Sequence, residues 1–393
     1  MGGRTPVQVG LLSVVLLLSV LVTIGQLPTT HRTVAVSSSL RQSFGSLPES
    51  WDLDADIGSV MVLSWRGAVD WSDVRPVLVN NHIGGVLLFT PNFGGDPASL
   101  RELTTRLEGV AQSTCLGHPI LAMLDEEGGE VSNVKADFAP PWPAVMAASG
   151  PDQVRELERI NGAGLRAAGV GLNLAPVADV RTNPRDGIIG LRSFGGNPSV
   201  VAPLVSAAVA GLHDGGVGAT VKHFPGLGGA AGDPHVAIPT DSESEGRWQQ
   251  VQVPAFQAGI AAGADAVMVT AVYVPGLGGG STPAMFSSSV VGRLRTQLGY
   301  EGVIVSDSLS MWGIGQRWAL PEAAVMALAA GNDMLLLGAG DPGYEADAIA
   351  GVRSAVVSGR LDRTRLHESA MRVNALRDRW GGRYEPCGAP ATA

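Results

Sequence analysis

Between residues 58 and 338 the chain sets down eight short apolar runs, and that rhythm constrains its fold more than any other feature. The runs are "GSVMVLSW" (58–65), "GGVLLFT" (84–90), "PILAMLDEE" (119–127), "GVGLNLAPVADV" (169–180), "GATVKHF" (218–224), "ADAVMVT" (264–270), "GVIVSDS" (302–308) and "NDMLLLG" (332–338). Most lack the apolar/polar alternation of a half-exposed sheet, so they read as strands buried on both faces, the habit of parallel sheets. Segments with apolar residues at helical spacing lie between them, among them 97–113, 151–168 and 253–263. Strand and helix in alternation predict an α/β fold, and eight repeats is the number that closes a (β/α)8 TIM-type barrel. A doubly wound open sheet alternates in the same way, so the count rather than the alternation favours the barrel.

Length allows one large domain or two, and composition suits a well-packed globular enzyme. Hydrophobic residues make up 45% of the 393 and charged residues 16%, which suits a packed globular chain and not a disordered one. The formal net charge is -9, with no dense Lys/Arg patch, so nothing points to nucleic acid as a partner. Only two lysines occur, Lys135 and Lys222, and a lysine at a strand end therefore counts for more than surface decoration.

The ends of the chain read differently. Arg4 precedes an apolar stretch from Val7 to Gly25, followed by polar and small residues to about Ser50. Residues 1–27 are expected to be a signal peptide or an N-terminal membrane anchor, near the roughly 17-residue minimum for a span. Residues 28–50 would be a flexible linker, 51–384 the barrel domain and 385–393 a disordered tail. This places the protein outside the cytoplasm, secreted or tethered. Cys115 and Cys387 are the only cysteines, and in an exported protein they either pair or remain two inert thiols.

In (β/α)8 barrels the active site is built at the C-terminal ends of the strands. Four of the eight runs end in ionisable residues: Asp125 after "ILAML", Asp179 after "LNLAPVA", Lys222 and His223 after "GATV", and Asp307 after "GVIVS". One polar strand end is ordinary chain exit; four that converge on one rim make a pocket. The loop after Lys222, "KHFPGLGGAAGDPH", adds Asp233 and His235 in a glycine-rich setting able to move as a lid. No HExxH, clustered Cys/His set or GxxxxGK[ST] loop is present, so no cofactor or metal is implied.

Read together, "GGVLLF", "DEEGGEV", "LNLAPVADV", "RSFGGNP", "VKHFPG", "GDPH", "AGADAVMV", "GVIVSDSLSM" and "AGNDMLLL" resemble glycoside hydrolase family 3, in particular its single-domain β-N-acetylglucosaminidase branch. The resemblance covers about residues 55–380. It implies a carbohydrate substrate and retaining hydrolysis, in which a carboxylate forms a covalent glycosyl-enzyme and a second group protonates the leaving oxygen. On residue chemistry alone Asp307 reads equally as a nucleophile or a helix N-cap; the resemblance assigns it as nucleophile. His235 becomes the acid/base with Asp233 as its partner, where an unaided reading gives an Asp-Pro turn with an exposed histidine. Asp125, Arg192, Lys222 and His223 are carried over as sugar-binding residues. Asp179 is left outside that set, since Arg192 and Asp179 could form a structural ion pair.

The sequence departs from the family pattern at Pro91, Glu130, Leu227, Gly229 and Ala271. A base lost and an acid gained near the mouth weaken the case for anionic muropeptide-like leaving groups. A histidine acid/base repels phosphate less than a glutamate would, so phosphorolysis is chemically open beside hydrolysis. Two other readings stand: a family 3 β-glucosidase, and a cell-wall glycan-binding protein that keeps the barrel without turnover.

Overall fold

The structure is a computed structural model that describes residues 52–68, 70–185, 188–233, 236–341 and 343–387. Eight parallel strands form one sheet: β1 (Met61–Trp65), β2 (Gly85–Leu87), β3 (Leu121–Leu124), β6 (Leu172–Asn173), β7 (Gly218–Phe224), β8 (Ala266–Val269), β9 (Val303–Ser306) and β10 (Leu335–Gly340). A short antiparallel hairpin, β4 (Glu126–Gly128) and β5 (Val131–Ser132), is inserted directly after β3. The sheet runs β10-β1-β2-β3-β6-β7-β8-β9, and a Val305–Met334 bridge brings its two edges together. This is the expected (β/α)8 barrel.

The strands are buried almost throughout, which is why their sequences do not alternate. Each expected run contains one barrel strand, and the differences have local causes. Residues 58 and 59 finish the helix Leu53–Ser59 instead of starting β1. The run 169–180 shrinks to two strand residues, and Pro176 has no N–H to donate to a continuing ladder. The helices Pro97–Thr114, Pro151–Ala167 and Val253–Ala261 follow the expected segments closely. Pro97 sits in the first turn, where its missing N–H costs nothing, and Asp96 caps the helix by accepting from Ser99 N at 2.8 Å.

The C-terminal helix Arg363–Trp380 lies against the face where the strands begin. Its buried Arg377 donates to the carbonyl of Pro119 at 2.8 Å, and Trp380 Nε1 donates to Asp265 at 2.7 Å. Beyond it, Cys387 forms a disulfide with Cys115, whose Cα is 5.7 Å away. The side-chain amide of Gln112 brackets Glu385, donating to its carbonyl and accepting from its N–H. Thus Glu385–Cys387, the start of the expected tail, are held in place, while 388–393 lie outside the described residues. The apolar N-terminal stretch and the linker to residue 50 also lie outside them; among the described residues no helix is long and apolar enough to cross a membrane.

Candidate active site

Strand β7 carries the centre of the site. Lys222 is 1% exposed, and its Nζ lies 2.5 Å from Asp125 Oδ1 and 2.6 Å from Glu127 Oε1. Asp125 leaves the end of β3, and Glu127 stands two residues later in β4. Successive residues of an extended chain face opposite ways, so Asp125 and Glu127 turn to Lys222 while Glu126 turns away. Glu126 accepts from Ser132 Oγ and from the backbone N–H groups of Asn133 and Val134, fastening the hairpin. Gly128 completes the bend at φ +102, where a Cβ would stand 2.3 Å from the Pro141 carbonyl oxygen.

Arg192 reaches Glu127 from the other side through a fork, Nε at 2.7 Å and Nη2 at 2.8 Å. Burial disfavours a charged Glu127, but Lys222 and Arg192 outweigh it and hold the carboxyl far below the usual range. Burial likewise opposes the Lys222 ammonium, yet Asp125 and Glu127 raise its pKa above the ordinary lysine value.

His223, the next residue of β7, completes the chain of contacts. Arg192 Nη2 lies 3.3 Å from its Nε2, and Asp179 Oδ2 lies 2.7 Å from its Nδ1. A guanidinium has only donors, so Arg192 donates to Nε2, and the Nδ1–H is left to donate to Asp179. The fully buried Asp179 also accepts from Leu227 N at 2.6 Å, tying the glycine-rich loop to the strand. Arg192 therefore pairs with Glu127, and the alternative of an Arg192–Asp179 pair is replaced by an Asp179–His223 one.

Asp307 follows β9 directly. Its Oδ2 accepts from Thr270 Oγ1 at 2.6 Å and its Oδ1 from Ser308 N at 2.7 Å. The next helix begins only at Trp312, with Met311 at its N-cap, so Asp307 is not a helix cap. With Asp125, Glu127, Arg192, Lys222 and His223 it lines a cavity of about 280 Å³ at the C-terminal strand ends. Leu87, Leu174, Met268 and Leu336 supply apolar floor and wall, and Val131, Ile188 and Leu227 stand with them.

The structure thus brings together five of the seven residues singled out in the sequence: Asp125, Arg192, Lys222, His223 and Asp307. Asp233 is partly exposed on the loop after β7, where its carbonyl accepts from Val236 N and Ala237 N; it is not among the cavity-lining residues. His235 lies outside the described residues. Sequence reasoning missed Glu127 and Asp179 as parts of the site. Nothing in "DEE" singles out the first, while the position at a strand end pointed to the second. Among the departures, Leu227 forms cavity wall and Glu130 is exposed at the hairpin turn beside Val131. Among the described residues no three His, Cys, Asp or Glu side chains gather as metal ligands.

A family model described as "Glycosyl hydrolase family 3 N terminal domain" matches residues 53–376. The chain is 34% identical over 325 residues to "Beta-hexosaminidase LpqI" of Mycobacterium tuberculosis, covering 80% of each chain. A "Beta-hexosaminidase" of Alkalilimnicola ehrlichii is 34% identical over 275 residues, 68% of this chain and 76% of that protein. Among solved structures, a glycoside hydrolase family 3 beta-N-acetylglucosaminidase from Paenibacillus superposes with a TM-score of 0.79 at 34% identity, over 88% of this chain and 66% of that one. A beta-N-acetylhexosaminidase from Beutenbergia cavernae superposes with a TM-score of 0.76 at 29% identity, over 83% and 98%. Barrel, strand-end cavity and family model coincide over the same residues, and the chain belongs to glycosyl hydrolase family 3.

Proposed function

We propose that this glycoside hydrolase is a retaining, exo-acting β-N-acetylglucosaminidase that removes terminal β-linked N-acetylglucosamine from peptidoglycan fragments or related oligosaccharides. The observation that carries the reading is the contrast among the acids that line the cavity or lie just beneath it. Asp125, Glu127 and Asp179 are each engaged by a cation or an imidazole. Asp307 alone among them has only the neutral donors Thr270 and Ser308 and is partly exposed to the cavity. A carboxylate oriented but not neutralised is what attack on an anomeric carbon requires.

In this reading Asp307 forms the glycosyl-enzyme, and His235, partnered by Asp233, protonates the leaving oxygen and then deprotonates water. Asp125, Arg192, Lys222 and His223 bind the sugar. Asp125 accepts from hydroxyls, while the cations donate to hydroxyls or to the N-acetyl carbonyl. The names of the M. tuberculosis and Paenibacillus relatives support the hexosamine specificity. The Cys115–Cys387 disulfide supports an extracytoplasmic setting, because such bonds persist in oxidising compartments. Residues 51–384 then act as one hydrolase domain behind an export or anchor segment at 1–27.

The test is release of a chromophore from an aryl β-N-acetylglucosaminide, with the matching β-glucoside as control. Wild type is expected to turn over the acetylated sugar alone, with Asp307→Ala lowering kcat at least about 10³-fold and His235→Ala strongly reducing it. Equal turnover of both sugars, or none by folded wild type, would contradict the assignment.

A further inference from the structure

Eight large apolar side chains stand exposed among the described residues; Leu191 precedes the cavity-lining Arg192, Trp312 follows the cavity-lining Asp307 by five, and Val236 lies on the loop after β7. Trp312 is 64% exposed and Val236 67%. Burying an indole is among the largest single apolar gains available, so one left open five residues beyond a cavity-lining carboxylate is conspicuous.

The two loops that carry Val236 and Trp312 abut one another. The space beside Gly313 is filled by the chain just after Val236, with Ile238 N 2.9 Å and Ala237 C 3.2 Å from where a Cβ would be. Hence the loop that follows Asp307 and the loop that follows β7 meet on the strand-end face of the barrel, the face on which the cavity opens. At about 280 Å³, the cavity falls just under the roughly 300–1,000 Å³ range of drug-sized ligand sites, so it accepts one sugar unit and not a chain. Its inner end is closed by Lys222, Glu127 and Arg192, so whatever is joined to that sugar leaves by the rim.

We propose that Trp312, with Val236 on the abutting loop, is the platform for the leaving group, and that this group is a pyranose ring, the second unit of a β-linked oligosaccharide. The C–H face of a pyranose carries slight positive charge and suits the negative face of an indole, as the edge of one aromatic ring suits the face of another. This rests on the proposed reading of the cavity as the subsite for the terminal N-acetylglucosamine.

The experiment compares two substrates that share the sugar and differ in the leaving group. N,N'-diacetylchitobiose places a ring over the platform; β-N-acetylglucosaminyl fluoride releases a single ion that cannot reach it. Trp312→Ala is expected to lower kcat/KM for chitobiose about tenfold, chiefly through KM, and to leave the fluoride within about twofold of wild type. Trp312→Phe should recover part of the loss. Unchanged chitobiose turnover, or an equal loss on both substrates, would overturn the platform while leaving the glycosidase reading intact. Failure of wild type to turn over either substrate would overturn both.

Discussion

Lys222 shows how single residues make this site. Its ammonium is buried between Asp125 and Glu127, and Arg192 holds Glu127 from the opposite side, so two acids and two cations neutralise one another at the inner end of the cavity. Removing one member leaves a buried charge without its partner. Glu127→Ala is therefore expected to destabilise the fold by about 3–5 kcal/mol, read by urea unfolding, and to weaken sugar binding; an unchanged midpoint would contradict the network. Glu158 is a residue of another kind. It is 2% exposed, accepts one hydrogen bond from Asn161 at 2.9 Å, and burial pushes its pKa from 4.5 up to about 8. The unfolded chain loses this proton near pH 4.5 while the folded chain keeps it to about pH 8. Its contribution to stability is thus full below about pH 4.5 and lost as pH rises towards 8, at about 1.4 kcal/mol per unit. Glu158→Gln should abolish that slope, so its stability relative to wild type must rise between pH 5 and pH 8; parallel curves would count against it.

At the scale of elements, the hairpin β4–β5 fixes the acids of the site. Glu126 anchors it through Ser132, Asn133 and Val134, and burial raises its pKa to about 7. Glu126→Ala should loosen the hairpin and raise KM about tenfold with a smaller effect on kcat, since Asp307 stands on a different strand; a change in kcat alone would show that the anchor does something else. The elements were legible where burial left a plain apolar run, as in β7 and β9, and less so where a proline cut the ladder, as at Pro176. Four of the cavity residues, Asp125, Lys222, His223 and Asp307, were readable because strand ends in a barrel share one rim, whereas Arg192 came only through the family resemblance. Glu127 was not, because "DEE" does not announce that the chain turns into a hairpin, which makes the second acid face the exterior of the site and the third face Lys222. Asp179 was readable as a polar strand end, but its partner, His223, depended on how β6 and β7 lie side by side. Asp233 stands on a loop whose place follows from tertiary packing rather than from any periodicity.

Across the whole barrel the two faces have separate tasks. The strand starts are tied together by the C-terminal helix and by the disulfide from Cys115 to Cys387, 272 residues apart in sequence, while the cavity opens at the strand ends. Cys115→Ser is expected to lower stability by about 2–4 kcal/mol with kcat/KM unchanged, read by denaturation and initial rates; a large loss of activity in the folded variant would show that the faces are coupled. The central claim, that Asp307 attacks the sugar, is tested most directly by covalent trapping. Wild type is incubated with 5-fluoro-N-acetylglucosaminyl fluoride, digested, and its peptides are read by mass spectrometry. The account predicts a single glycosyl adduct on Asp307, absent from Asp307→Ala; an adduct on another residue, or steady turnover with no adduct at any time, would contradict it.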